Sequence, residues 1–437
     1  MTNINKNTAD LLSKKFGSPF FLADENKIKI NIEKFRKSFS SYKGKFSLGY
    51  SVKTNPLIGI LKIMKKYDVV AECASEIDIE SSTSSGYDQK ELVYAGLYKS
   101  KNSLESAVKN GIKIINIESL QEAKNIYEIL KEYKKKIKVG IRISYPSSTG
   151  IKSLLGVTYD RFGNSQKTGD AYRLADYLAE RQDSFELLGL HCHPGSNIKN
   201  SKKYKISIDK LKKLYDYLKL NHNITIKLIN IGGGIGVKEV HFFSLVDYVI
   251  SSFFKIFGKT YEFDKEKFDY TKILREISIY LNDKFSKEKE YPEIMMEPGR
   301  ALIGNAIDIC SSVVVKKKTE SGDWLITDAG TNILSILTLL TEQHKIYSTS
   351  ESSKKIKYSI AGPLLYSSDI IARNVKLNES QIDDHIVISD VGAYFGSQSS
   401  SFLFPRCANI LRTSNNEFKL IERKESIDDV LFRSKNI

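Results

Sequence analysis

From Phe46 to Glu297 the chain alternates short apolar runs with longer stretches in which apolar residues return at helical spacing. The runs are Phe46 to Lys53, Val69 to Cys73, Leu92 to Gly96, Ile114 to Ile117, Lys138 to Ile143, Leu187 to His193, Lys227 to Gly232 and Glu293 to Glu297. Their length and their aliphatic, β-branched content mark them as buried strands. Strands that alternate with helices imply a parallel sheet, because each crossover needs a helix. Eight such units over roughly 250 residues predict a (β/α)8 barrel. A further helical pattern, Ile28 to Phe39, leads into the first unit.

The pattern changes after about Ala306. Ile307 to Val315, Asp323 to Thr327, Ile386 to Ser389 and Phe418 to Glu422 read as strands without helices of similar length between them. They predict a C-terminal β-rich domain. The apolar run Pro19-Phe20-Phe21-Leu22 precedes the barrel and is expected to join that sheet. The expected organisation is therefore an N-terminal strand within 1–27, a barrel over 28–306 and a β-domain over 307–437. Val237 to Tyr291, rich in Phe, Tyr and Lys, is expected to carry extra helices over one end of the barrel.

Composition narrows the function. No apolar run reaches the roughly 20 residues that span a bilayer, and the start MTNINKNTADLLSKKFG lacks the apolar core of a signal peptide. Cys73, Cys192, Cys310 and Cys407 are scattered without metal-ligand spacing, which fits a reduced cytoplasm and no metal centre. The net charge of +15 is spread over candidate helix faces and short runs such as Lys134 to Lys136 and Lys316 to Lys318. A nucleic-acid binder concentrates its charge in a stripe or arm. This distribution reads as a solvated lysine-rich surface that also attracts anionic substrates.

A barrel carries its chemistry at the C-terminal ends of its strands, so the polar residues there are the candidates. The first strand ends in Tyr50-Ser51-Val52-Lys53-Thr54-Asn55. A lysine ending an apolar strand is expected to be desolvated, which favours the neutral amine that attacks an aldehyde; in so lysine-rich a chain the bland alternative is a surface lysine. The sixth ends in His191-Cys192-His193-Pro194-Gly195-Ser196. One histidine of this pair is expected to face the barrel mouth while the other points away, offering a flat ring for stacking; a lone histidine is more often structural. The seventh ends in Gly232-Gly233-Gly234, whose N–H groups are expected to cradle a phosphate, although a glycine cluster is more often only a tight turn. The eighth ends in Glu297-Pro298-Gly299-Arg300. Glu297 suits a protonated pyridine nitrogen and Arg300 a phosphate; the alternative is an ordinary surface ion pair. An amine, a stacking ring, a phosphate cradle and a pyridinium partner are together what pyridoxal 5′-phosphate (PLP) requires.

With these residues in place the chain resembles the fold-type III PLP decarboxylases, the group of diaminopimelate and ornithine decarboxylases, from Pro19 to about Arg406. The resemblance implies that Lys53 bears the coenzyme and that His193 stacks on its ring. It implies that Ser196, Gly232 to Gly234, Gly299, Arg300 and Tyr394 (in Gly392-Ala393-Tyr394) hold the phosphate, that Glu297 meets the ring nitrogen, and that Arg142 belongs to the coenzyme site. Ala95-Gly96 with Lys99-Ser100, and Asn116 to Ser119, match the third and fourth strand ends. It further implies a homodimer in which the β-domain of one chain completes the barrel mouth of the other.

The departures fall on the substrate side. The family's Gly-Pro-x-Cys-Glu or Cys-Asp reads Gly362-Pro363-Leu364-Leu365-Tyr366 here, with leucine where the proton-donating cysteine belongs and tyrosine where the substrate-sensing acid belongs. After Asp328-Ala329-Gly330, Ile336 and Leu340 stand where diaminopimelate decarboxylases carry a substrate-binding arginine and tyrosine. Smaller changes are Glu72 and Asp78 for the usual Asp and Glu, and Asn230 for Asp. The resemblance thus implies an amino-acid decarboxylase with Lys53, His193, Glu297 and Tyr366 as catalytic candidates and Ile336, Leu340, Leu365 and Tyr366 as substrate contacts. The expected substrate is a distally modified diamino acid, such as the citrate conjugates used by the carboxylate-siderophore branch, in place of free diaminopimelate. The competing expectations are an ordinary diaminopimelate, ornithine or lysine decarboxylase, a non-catalytic binding relative, and a racemase on the same barrel.

Overall fold

Aliphatic residues that must leave water on both faces build the centre of the chain. The computed structural model describes residues 4–145, 161–242, 268–339 and 342–435. Clustering of its contacts gives two compact units: Asn31–Val237 with Asp269–Leu302, and Met1–Ile30 with Lys238–Phe268 and Ile303–Ile437.

The first unit holds a closed parallel barrel. Numbered with the rest of the chain, in which β1 is Phe20–Asp24, its strands are β2 (Phe46–Ser51), β3 (Val70–Cys73), β4 (Val93–Tyr94), β5 (Ile114–Ile117), β6 (Ile137–Arg142), β7 (Phe185–His191), β8 (Leu228–Asn230) and β10 (Glu293–Met296). β9 is the short His241–Phe242 of the other unit. Each of the eight apolar runs yields one barrel strand, shortened at the ends where polar side chains begin. Val93, Ile114, Leu228 and Met295, with Val70 and Leu188 packed on them, form a cluster drawn from six strands. Serines end several strand-to-helix loops: Ser75, Ser100 and Ser119 accept from the N–H groups of Asp78, Ser103 and Glu122 and so start the next helix at once. Short capped loops hold the strand ends, and the residues on them, in fixed positions.

The second unit is β-rich. Its main strands are β11 (Ile307–Thr319), β12 (Gly322–Thr327), β15 (Lys355–Ala361), β16 (Ile370–Asn378), β17 (His385–Ile388), β18 (Ala408–Arg412) and β19 (Phe418–Glu422), with β13 (Glu342–Gln343) and β14 (Ile346–Ser348) between β12 and β15. The sheet runs β16-β15-β12-β11-β1-β18-β19, with β17 on β11 and β14 on β17. β1 enters antiparallel to β11 and parallel to β18. A helix that the apolar pattern does not announce, Lys6–Phe16, opens the chain and buries Ala9 and Leu12 against Phe20, Leu22, Cys310, Val387 and Ile410. Of the stretch Val237 to Tyr291, residues 243–267 lie outside the described residues, and Tyr270–Lys284 is one helix. Among the described residues no helix is long and apolar enough to cross a membrane.

Candidate active site

The ends of β6, β7 and β8 set Arg142, His191 and Asn230 at one height, since Arg142 pairs with His191 and His191 with Asn230. Glu297 follows directly on β10, its N–H donating to the Gly232 carbonyl at 2.9 Å. The carboxyl of Glu297 is buried, with the residue 5% exposed. Its Oε1 accepts from the Asn230 amide, and its Oε2 lies 3.6 Å from Nε2 of His191. The Asn230 amide is itself fixed, because its Oδ1 accepts the Gly232 N–H at 2.9 Å. Burial, and then the nearby Glu72 carboxylate, hold the Glu297 carboxyl well above the ordinary range, against the opposing pull of Asn230, Arg142 and Lys53. Glu72 is buried too and accepts from the Ser51 hydroxyl at 2.7 Å. Asp78, which accepts the Ala74 N–H at 2.8 Å, is pushed up to about 6, chiefly by burial. The barrel end thus gathers two carboxyls, of Glu297 and Asp78, whose charged forms burial disfavours.

Lys53 corrects one expectation. It sits in the middle of a single 3-10 turn, Val52–Thr54, directly after β2, and its side chain is exposed. The strand end therefore does not desolvate it, because the turn lifts it clear of the apolar wall. Its charge still reaches inward and acts on Asp78, His191, His193 and Glu297.

The histidines correct a second. His191 and His193 are two residues apart, and positions i and i+2 of an extended chain share a face; the expectation that one points in and the other away had the parity wrong. His191 is buried beside Glu297. His193 is half-buried, and its Nδ1 accepts the Gly233 N–H at 3.2 Å. Burial first, then the positive charges of Lys53 and Arg142, lower its pKa to about 3, so its ring is neutral at pH 7. Ser196 is exposed and Arg300 half-buried, just after Gly299.

In this arrangement the Gly232 N–H donates to Asn230 and the Gly233 N–H to His193. The run is needed first for close packing. A Cβ on Gly233 would stand 2.1 Å from the Glu297 carbonyl oxygen, and one on Gly234, whose φ is +84°, would stand 1.7 Å from the Gly195 carbonyl oxygen. Gly234→Ala combines a backbone clash with a left-handed conformation and is expected to destabilise by at least about 2 kcal/mol. A fall in the thermal midpoint of the apoprotein checks this.

Arg142 pairs with the buried Glu118, whose Oε2 accepts the Gly163 N–H at 2.7 Å. The matched Lys99 is buried and satisfied by Glu122 at 2.6 Å and by the carbonyls of Gly96 and Asn116, which makes it a strut of the strand ends. Sequence reasoning gave His191 and Asn230 no role at the site. The strand parity of the H-x-H pair was the available signal for the first.

The other candidates lie in the β-rich unit. Asp369 organises the Gly362 to Asp369 segment: Oδ2 accepts the Leu364 N–H at 2.7 Å, and Oδ1 accepts the Thr331 N–H at 2.7 Å. The Tyr366 phenol is hydrogen-bonded to the Thr331 hydroxyl, and its ring meets Phe402 edge-on at 5.9 Å. Tyr366 is 43% and Leu365 92% exposed. Tyr394 is half-buried, with φ +74°. Ile336 is 0% exposed, so packing takes it out of reach of a ligand in this arrangement, contrary to its expected role. Leu340 lies outside the described residues.

Comparison with known proteins converges on one chemistry. Residues 25–250 match the family described as pyridoxal-dependent decarboxylase, pyridoxal binding domain. The chain belongs to the pyridoxal-dependent decarboxylases. Diaminopimelate decarboxylase of Aquifex aeolicus is 27% identical over 430 residues, covering 98% of this chain and 94% of that protein. The enzyme of the same name from Methanocaldococcus jannaschii is 26% identical over 428 residues, covering 96% and 92%. The crystal structure of the M. jannaschii enzyme in complex with L-lysine superposes with a TM-score of 0.86 at 25% identity, covering 98% of this chain and 94% of that one. This decarboxylase is accordingly a PLP-dependent carboxy-lyase that acts on an amino acid. The residues present fit the coenzyme. A buried carboxyl whose charged form burial and Glu72 disfavour, a neutral imidazole and an exposed amine stand at strand ends of one barrel.

Proposed function

We propose that this decarboxylase removes the α-carboxylate of a diamino acid whose distal amine is acylated, the citrate conjugates of carboxylate-siderophore synthesis being the leading instance. Lys53 would hold PLP covalently, with Glu297 toward its ring nitrogen and His193 against its ring. Ser196, Gly232 to Gly234, Gly299, Arg300 and Tyr394 would supply the phosphate contacts. Bound there, the coenzyme supplies an electron sink for the pair left when CO2 departs. Leu365 has no proton to give, so the proton that replaces CO2 would come from another group, the Lys53 amine after release or water, while the phenol of Tyr366 reads the distal end.

The observation that carries the reading is Tyr366. An uncharged side chain, hydrogen-bonded to Thr331 and packed on Phe402, occupies the position where the resemblance puts the acid that senses the distal amine. The test is CO2 release from a panel of free and acylated diamino acids. A second reading, decarboxylation of diaminopimelate itself, is favoured by the names of the relatives in Aquifex and Methanocaldococcus; the same panel separates the two.

Tyr366 and Tyr394 complete the site through a homodimer in this reading. Lys53→Ala mixed with Tyr366→Ala is then expected to restore about a quarter of the sites by random pairing, because half the dimers are mixed and each mixed dimer has one intact site. No recovery of CO2 release on mixing, or full activity of a dilute monomer in sedimentation, would count against sharing.

A further inference from the structure

His191 stands at the crowded end of the barrel without a task in the chemistry above. It closes β7 with 2% of its surface exposed, and neither ring nitrogen has a hydrogen-bond partner. Buried ring nitrogens of that kind call for an explanation, since nearly all buried polar groups are paired. Its neighbours at the same height are Arg142 on β6 and Asn230 on β8. Its Nε2 is 3.6 Å from Oε2 of Glu297, just beyond hydrogen-bonding reach, while Asn230 occupies the other oxygen of the same carboxyl. The charged and titratable groups around the pair are Arg142 (paired with Glu118), His193, Lys53, Lys99 and Glu72.

We propose that His191 is a positioning residue for Glu297: in the PLP-loaded enzyme its neutral ring carries hydrogen on Nε2 and donates it to Oε2, while Asn230 donates to Oε1. The proposal rests on reading Glu297 as the partner of the coenzyme's ring nitrogen. Burial and the positive charges of Arg142, Lys53 and Lys99 keep the imidazole uncharged, and a neutral imidazole has one N–H to place. Hydrogen on Nδ1 would turn the Nε2 lone pair against the carboxylate, so the ionised form of Glu297 selects the Nε2–H tautomer. Ionisation also strengthens the attraction across the 3.6 Å gap and closes it to a charge-assisted bond. With one donor on each oxygen, the carboxylate is held ionised and in a fixed plane in front of the ring nitrogen. Asn230 can serve only because its amide is already oriented by the Gly232 N–H.

The sign of the pH effect follows. Tight coenzyme binding needs Glu297 ionised, so affinity falls as pH drops through its pKa in the apoprotein. Removing a donor raises that pKa and moves the fall to higher pH. The variant His191→Phe, which keeps a ring without the N–H, is expected to shift the acid-side midpoint of PLP affinity, measured by fluorescence titration of the apoprotein, upward by about one unit, or tenfold in affinity on the falling limb. His191→Gln retains an N–H donor and is expected to recover most of the shift. A purely structural role would lower the thermal midpoint and leave the pH midpoint in place, and that outcome overturns the proposal. Glu297→Gln separates the two levels. If it abolishes the acid-side fall while His191→Phe leaves the midpoint unmoved, the inference on His191 fails alone. If Glu297→Gln also changes nothing, the reading of Glu297 fails with it. Should His191→Phe not fold, nitrogen-15 NMR of the loaded parent decides, with six histidines in the chain to resolve. An Nε2–H signal for His191 sustains the proposal, and an Nδ1–H or imidazolium signal overturns it.

Discussion

Borohydride reduction of the loaded enzyme is expected to leave PLP fixed on Lys53, and Lys53→Ala is expected to lose that attachment and to lower kcat/KM on the order of ten-thousandfold, about 5.4 kcal/mol. The size of the loss comes from the loss of the amine that binds the aldehyde, since no other lysine stands in the turn after β2. The fold is expected to survive. Lys53 is exposed on a 3-10 turn, and removing an exposed side chain away from any buried network usually changes stability by no more than about 0.5 kcal/mol. Its charge does act on Asp78, His191, His193 and Glu297, so the apoprotein of Lys53→Ala is also expected to hold Glu297 protonated to a higher pH. Mass spectrometry of the reduced peptide and a thermal melt check both halves. Coenzyme fixed on another lysine would overturn the assignment.

The barrel was legible because its strands are buried on both faces and carry near-continuous aliphatic runs, as in Ile114–Ile117. Lys6–Phe16 was not, because its polar sequence buries only Ala9 and Leu12, too few to show a period. In the β-rich unit Lys355–Ala361, which the strand reading passes over, alternates Ile356, Tyr358 and Ile360 with Lys357 and Ser359. At the site, the residue types at four strand ends could be read, whereas their pairings could not. Asn230 meets Glu297 across 67 residues and Glu118 meets Arg142 across 24, contacts that the pairing of neighbouring barrel strands creates. The misplaced expectations have separate causes: a 3-10 turn after β2 leaves the Lys53 amine exposed, and the face shared by residues i and i+2 sets His191 and His193 on one side.

The Asn230 substitution shows how such a pairing sets local charge. An aspartate at 230 would place a second carboxylate against Glu297, already opposed by Glu72. An amide there donates to Glu297 while its oxygen accepts from Gly232. The amide replaces a repulsion with a fixed hydrogen bond, while the divergence that the resemblance implies falls on the substrate side.

That divergence sets the second large effect. Substrates with an acylated distal amine are expected to exceed the free diamino acids in kcat/KM by at least about a hundredfold, roughly 2.7 kcal/mol. A distal ammonium or carboxylate brought against Tyr366 loses its water and finds no opposite charge, a cost of several kcal/mol. An amide nitrogen is neutral, and its carbonyl can accept from a phenol. Tyr366 is held for this by Thr331 and Phe402, so little side-chain entropy is lost when the bond forms. Tyr366→Glu restores a carboxylate and is expected to raise turnover of free ornithine or lysine while depressing that of the acylated substrate. If the acyl group is citrate, the net charge of +15 also speeds capture, and added salt is expected to lower kcat/KM for the conjugate more than for a neutral acyl analogue. Equal or better turnover of free ornithine, lysine or diaminopimelate by the parent enzyme would remove the acylated substrate from consideration and return this protein to the ordinary basic amino-acid decarboxylases.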